Sequence, residues 1–191
     1  MIENVVNCLN RTTQRLRDNY SIPDRQGIYS FIVDSDELGK FGRPGQIIYI
    51  GLAEKSLKDR DTENHLKSGQ TGWSSLRRSL GAILKERLKL KAIKRDKDGN
   101  KLRADKYKFD KEGEERLTAW MINNLIIGYW TVDNPMPLDK LRDLEEKVIL
   151  KLKPTLDLDR RTKRHNLLSV DLDELRKICR DEVKSTHLTD H

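Results

Sequence analysis

Two short runs, Gly27-Ile28-Tyr29-Ser30-Phe31-Ile32-Val33 and Ile47-Ile48-Tyr49-Ile50-Gly51, decide how this chain is read. Both are dominated by β-branched and aromatic residues, which suit the pleated, packed surface of a strand. Between them lie Gly39, Gly42, Pro44 and Gly45, residues that interrupt regular structure and turn the chain. The two runs are therefore expected as neighbouring antiparallel strands. A third run of the same character, Leu125-Ile126-Ile127-Gly128-Tyr129-Trp130-Thr131-Val132, is expected to complete a small sheet of about three strands.

Around the strands the apolar spacing becomes helical. Residues 3–20 set Val5, Val6, Leu9, Leu16 and Tyr20 at roughly helical intervals with arginines between them, a lead-in helix closed by Pro23. The pattern predicts further helices over 56–67, from Ser74 or Ser75 onward, over 114–124, over 138–152 before Pro154, and over 171–183. Residues 89–111 crowd lysines and arginines around Asp98-Gly99 and read as a basic hairpin or loop. The expected fold is α/β of the α+β kind: a three-stranded antiparallel sheet flanked by helices. Residues 1–191 form one domain, with a core over 27–157 and helical extensions at 1–22 and 158–191.

The chain has 38 Lys and Arg against 31 Asp and Glu, a net charge of +7. Such a surface attracts polyanions, because phosphate neutralisation dominates nucleic-acid binding, although a Lys-rich solvated surface has the same composition. Cys8 and Cys179 form no cluster with metal-ligand spacing, and the N-terminus lacks the apolar run of a secretory signal, so a reduced, cytoplasmic setting is expected. No apolar stretch approaches the roughly 20 residues that span a bilayer, and no membrane partner is expected. There is no internal repeat and no Gly-rich phosphate loop.

Glu145 is the most informative single position. Leu141, Val148, Ile149 and Leu152 lie three or four residues from it or from one another, so it shares the apolar stripe of its predicted helix. A carboxylate there sits at the rim, has a partner, or does chemistry, since burying it unpaired costs several kcal/mol.

Gly27-Ile28-Tyr29 and Tyr49-Ile50-Gly51 resemble the two defining tripeptides of the GIY-YIG nucleases. The order of the downstream residues strengthens the resemblance: Leu57-Lys58-Asp59-Arg60, His65, then Glu145, Val148-Ile149, Pro154 and Leu156-Asp157. Two features depart from the family pattern. The step from Tyr49 to Arg60 is one residue longer than is typical, and Asp157 stands where the family usually has asparagine.

The resemblance implies a metal-dependent endonuclease acting on DNA, in which Glu145 holds one Mg²⁺ or Mn²⁺ and Arg60 clamps the scissile phosphate. Tyr29 and Tyr49 would lie side by side, one activating the attacking water and the other fixing it. Which of them takes the proton is open, and a free tyrosine titrates near ~10, so it needs help. His65 would be an auxiliary proton-transfer or phosphate-contacting group, five residues after Arg60 where a helical turn would favour Asn64 at four. Candidate DNA contacts are Arg77 and Arg78 at the start of the third helix, and Lys94 and Arg95 in the basic segment. Trp73 and Trp120 are candidates for base stacking, or for core anchors.

Nothing resembles an appended DNA-reading module, so target choice falls to the added helices and the basic segment. A stand-alone structure-selective nuclease and a restriction or defence enzyme both fit, and the second would need a homodimer to cut two strands. DNA and RNA are not distinguished. The other readings are a nucleic-acid-binding module that kept the fold without catalysis, and a basic interaction protein with fortuitous triplets.

Overall fold

The computed structural model describes residues 1–60, 65–95 and 107–185. The central strand is β2 (Gly27–Val33), buried along its whole length. Such a strand shows a continuous apolar run rather than alternation, because both of its faces and both of its edges are covered. It pairs antiparallel with β3 (Ile47–Ala53) on one side and β6 (Leu125–Thr131) on the other. Gly27 and Gly128 permit close approach here: a Cβ on Gly27 would lie 2.1 Å from the Trp130 carbonyl oxygen, and one on Gly128 would lie 2.1 Å from that of Leu9.

A further short strand, β1 (Gln14–Arg15), pairs with the outer edge of β6. The sheet therefore has four strands, in the order β1-β6-β2-β3, one more than the sequence pattern suggested. The expected lead-in helix accordingly stops early: α1 spans Ile2–Arg11, and the chain then turns into the sheet. Hydrogen bonding explains the change, since Thr12 Oγ1 donates to the Tyr129 carbonyl and accepts from the Tyr129 N–H, steering the chain along β6.

Strand β3 leads into α2 (Leu57–Arg60). The continuation of the expected 56–67 helix through 61–64, including Asn64, lies outside the described residues. Helix α3 (Ser75–Ile83) starts where the Ser74 side chain accepts from the Arg77 N–H, as the N-cap reading predicts. The basic segment is a hairpin at its base, β4 (Ala92–Lys94) against β5 (Tyr107–Phe109). Residues 96–106 lie outside the described residues, as do 186–191. Then come α4 (Lys111–Asn124), α5 (Leu138–Leu152) and α6 (Ser169–Ser185).

Two apolar layers cover the sheet. On one face Ile28 and Ile50 pack with Val5 and Leu9 of α1 and Leu141, Leu144, Val148 and Ile149 of α5. The other face turns Tyr29, Phe31 and Tyr49 toward Leu76 and Leu80 of α3, Leu117 and Met121 of α4, and residues of α6. The open edge of β3 is closed by the chain after α5, where Leu156 N–H donates to the Ile48 carbonyl at 2.8 Å and Asp157 Oδ2 accepts from Ile50 N–H at 3.1 Å.

Candidate active site

Strand register sets the position of the two tyrosines. Tyr29 pairs with Gly51 and Phe31 with Tyr49, so the tyrosines share a face on a diagonal, with ring centroids 6.3 Å apart. Gly51 makes the arrangement possible. A Cβ there would lie 2.4 Å from Tyr29 Oη, so the absence of a side chain lets the phenol lie across the neighbouring strand.

His65 is buried against both phenols and against Phe31. Its Nε2 lies 2.6 Å from Tyr29 Oη and its Nδ1 lies 2.8 Å from Ser74 Oγ. Burial, with the charges of Arg60 and Arg77 adding to it, pushes the imidazole down to about 3, so it is neutral near pH 7. Arg60 lies near enough to Tyr29 for its guanidinium and the phenol to interact. Burial works against its charge, but Tyr29, Tyr49 and Glu145 outweigh it and hold the guanidinium above its ordinary value. His65 and Arg60, five residues apart in the sequence, thus both lie beside Tyr29.

Tyr49 is differently placed. Its hydroxyl lies 3.0 Å from Ser75 Oγ. Burial first, and then the nearby Asp157, push it up to about 12, only partly offset by Ser75 and Arg60. Tyr49 is therefore a protonated hydrogen-bonding phenol at neutral pH.

Glu145 comes from α5 in the other layer, 7% exposed, and its charge is felt at Tyr49, Arg60 and Asp157. Burial raises its carboxyl above the usual range, and the bond from Arg161 Nη2 to Oε2 at 2.9 Å opposes that shift. Arg161 also donates to both carboxylate oxygens of Asp159, the larger reason its own guanidinium is held well up. Asp157, where the resemblance would place asparagine, does the accepting half of an amide's work by taking the Ile50 N–H, and burial raises its carboxyl strongly.

The proposed DNA contacts divide. Arg77 is a correction: it is completely buried, pairs with Glu114 at 2.6 Å, and donates to Thr71, Thr118 and the His65 carbonyl. It cannot reach a phosphate from there. Arg78 is half-buried, donates to the carbonyls of Thr71 and Gly72, and is pushed by burial down to about 10. Lys94 and Arg95 are half-buried on the hairpin, with the Arg95 guanidinium over the exposed Trp73 ring, whereas Trp120 is a core anchor. Sequence reasoning saw Ser74 and Ser75 as helix caps but not as partners of His65 and Tyr49. It missed Arg161 altogether, because a residue 16 positions after Glu145 has no periodic relation to it.

A profile of the GIY-YIG catalytic domain matches residues 32–178. The chain belongs to the GIY-YIG family. Tyr49, Arg60, His65 and Glu145 fall inside the matched span, and Tyr29 lies just ahead of it. Comparison with curated proteins finds no match, and neither does comparison with solved structures. The GIY-YIG assignment brings nuclease activity in general, with nucleic acid as substrate class. Among the described residues no helix is long and apolar enough to cross a membrane.

The GIY-YIG site also bears on the metal that the family resemblance implies. Among the described residues no group of three or more His, Cys, Asp or Glu side chains is arranged to cage an ion. Glu145 has one oxygen on Arg161, and no hydrogen bond to the other is found among the described residues. One buried carboxylate of this kind suits an oxygen-liking cation that keeps most of its waters, such as Mg²⁺, and does not suit a closed tetrahedral site.

Proposed function

We propose that this chain is a metal-dependent endonuclease that hydrolyses DNA phosphodiesters, with Tyr29 as the group that takes the water proton. The observation that carries the reading is the 2.6 Å contact of His65 Nε2 with Tyr29 Oη, with Arg60 near the same phenol, on the sheet face that also carries Tyr49. A guanidinium can only donate, so with Arg60 beside the phenol we take the Tyr29 O–H as donor to His65 Nε2. His65 then carries its proton on Nδ1 and donates it to Ser74 Oγ, whose other lone pair takes the Arg77 N–H. The arrangement gives the protons a path: Arg60 stabilises the phenolate character that develops on Tyr29, and Tyr29 passes its own proton to His65 Nε2 as it accepts one from water, the buried imidazole holding that proton only in passing.

Tyr49, held protonated, donates to the attacking water or to a phosphoryl oxygen. The remaining N–H groups of Arg60 face the phosphate and stabilise the charge that builds on it. Glu145, with Arg161 fixing its rotamer, would hold Mg²⁺ or Mn²⁺, which supplies Lewis-acid stabilisation of the phosphoryl and leaving oxygens when bound. The net charge of +7 supports a polyanionic substrate.

The test is conversion of supercoiled plasmid by the native chain and by Glu145→Gln at matched concentration, with Mg²⁺, Mn²⁺ or chelator. Nicking or linearisation is expected with metal, lost with chelator, and reduced roughly 10²-fold or more in the variant. Equal inertness of both proteins on plasmid, single-stranded and branched DNA, with salt-sensitive binding retained, would replace this reading by a non-catalytic binding module.

A further inference from the structure

The turn leading into α3 places an exposed aromatic beside the reacting groups. Ser74 and Ser75 bond His65 and Tyr49, and the residue before them is Trp73, 56% exposed. Trp120, by contrast, is buried. One face of the Trp73 ring is covered by the Arg95 guanidinium, whose Cζ is 3.5 Å from the ring centroid. Arg95 is itself held, donating from Nη1 to the Gly72 carbonyl at 3.3 Å. Gly72 is needed for this: a Cβ there would lie 2.6 Å from Arg95 Cγ and Cδ. Arg78 Nη1 donates to the same carbonyl at 3.0 Å and fixes the turn from below. The result is a flat, rigid, cationic platform whose accessible area is the second indole face and the ring edge.

We propose that Trp73, backed by Arg95, stacks an unpaired nucleobase within a nucleotide or two of the scissile phosphate, so that the site prefers single-stranded, flapped or flipped-out nucleic acid over intact duplex. The inference rests on the nuclease reading and narrows its substrate class. A base inside a duplex has both faces covered by its neighbours and offers nothing to an indole, whereas an unpaired base stacks on any aromatic regardless of sequence. The guanidinium on the far face adds a positive charge that a flanking phosphate can use without displacing the stack. Trp73 packs little of its surface against the fold, so its replacement leaves the core intact.

The experiment is fluorescence anisotropy with chelator present, titrating the full chain and its Trp73→Ala and Trp73→Phe variants into a labelled single strand, a flapped duplex and a fully paired duplex of the same sequence. Circular dichroism checks that each variant is folded, and the native chain is assayed with metal on plasmid, single-stranded and branched DNA in parallel. Trp73→Ala is expected to weaken binding to the single strand and the flap by about tenfold or more, while changing duplex affinity by less than about twofold. Trp73→Phe, which keeps a stacking face and serves if the alanine variant misfolds, is expected to recover most of the loss. If the native chain nicks plasmid but the variants lose nothing, or lose equally on paired and unpaired DNA, the platform is overturned and the nuclease reading stands. A native chain inert on plasmid, single-stranded and branched DNA alike, whose unpaired-strand binding still depends on Trp73, supports the platform and overturns the nuclease reading.

Discussion

The position of one phenol hydroxyl depends on a residue with no side chain. Gly51 faces Tyr29 across the β2–β3 ladder, and a methyl group there would meet Oη at 2.4 Å and Cζ at 2.5 Å. Gly51→Ala therefore has to push the phenol away from His65, 2.6 Å distant in the native chain, and away from Arg60. The strand itself tolerates alanine, so the fold survives. The expected outcome is a fall in cleavage rate of about 10²-fold, the scale of an ångström-sized misplacement, with DNA affinity nearly unchanged and a melting temperature within a few degrees of native. Single-turnover cleavage alongside thermal denaturation checks it, and a variant that cuts at the native rate would remove Tyr29 from the proton-transfer role. At this scale the sequence was informative for Tyr29, Tyr49 and Glu145, whose residue types stand out against their apolar surroundings. It named His65 as a candidate too, but the helical spacing that favours Asn64 gave no reason to expect the imidazole on the Tyr29 hydroxyl.

At the scale of elements, the loop carrying His65 is held by an ion pair that local patterns do not reveal. Arg77 of α3 and Glu114 of α4 are both buried and 2.6 Å apart. Glu114 also accepts from the N–H groups of Gly69 and Phe109 and from Thr71 Oγ1, and Arg77 donates to the His65 carbonyl. Two helices, the β5 strand and the 65–74 loop thus meet at one charge pair. Arg77→Met leaves Glu114 buried without its cation and is expected to destabilise the fold by about 3–5 kcal/mol in urea denaturation. Adding Glu114→Leu should recover part of that, since the stranded charge is then gone. A loss no larger than for an exposed arginine would show that the pair does not hold the loop. Two arginines opening a helix suggested DNA contact because the partner of Arg77 lies 37 residues away. The same limit hid β1: Gln14–Arg15 is too short to alternate, and only its bonds to β6 make it a strand. The long strands and helices were legible because their apolar spacing extends over several turns or pleats.

For the whole molecule, the buried imidazole of His65 couples stability to pH. His65 is pushed down to about 3 in the folded chain by burial and by Arg60 and Arg77, whereas an unfolded histidine titrates near ~6.5. Between those values the unfolded chain binds a proton that the folded chain refuses, so unfolding takes up protons and stability falls as pH drops through that window. From pH 7 to pH 5 this one group removes about 2 kcal/mol. Other groups act over the same range: the raised carboxyls of Glu145 and Asp157 pull in the opposite direction, and the net charge of +7 grows as carboxylates protonate. The contribution of His65 is therefore read as a difference. Urea denaturation of the native chain and of His65→Gln at pH 7, 6 and 5 should show the variant less stable at pH 7, where it loses the bonds to Tyr29 and Ser74, and the gap narrowing by about 2 kcal/mol at pH 5. Parallel curves would mean that the folded chain lets His65 take up a proton as freely as the unfolded one. The imidazole would then be a competent proton store near neutral pH rather than an acceptor held neutral at rest, and the roles of His65 and Tyr29 in activating water would have to be exchanged.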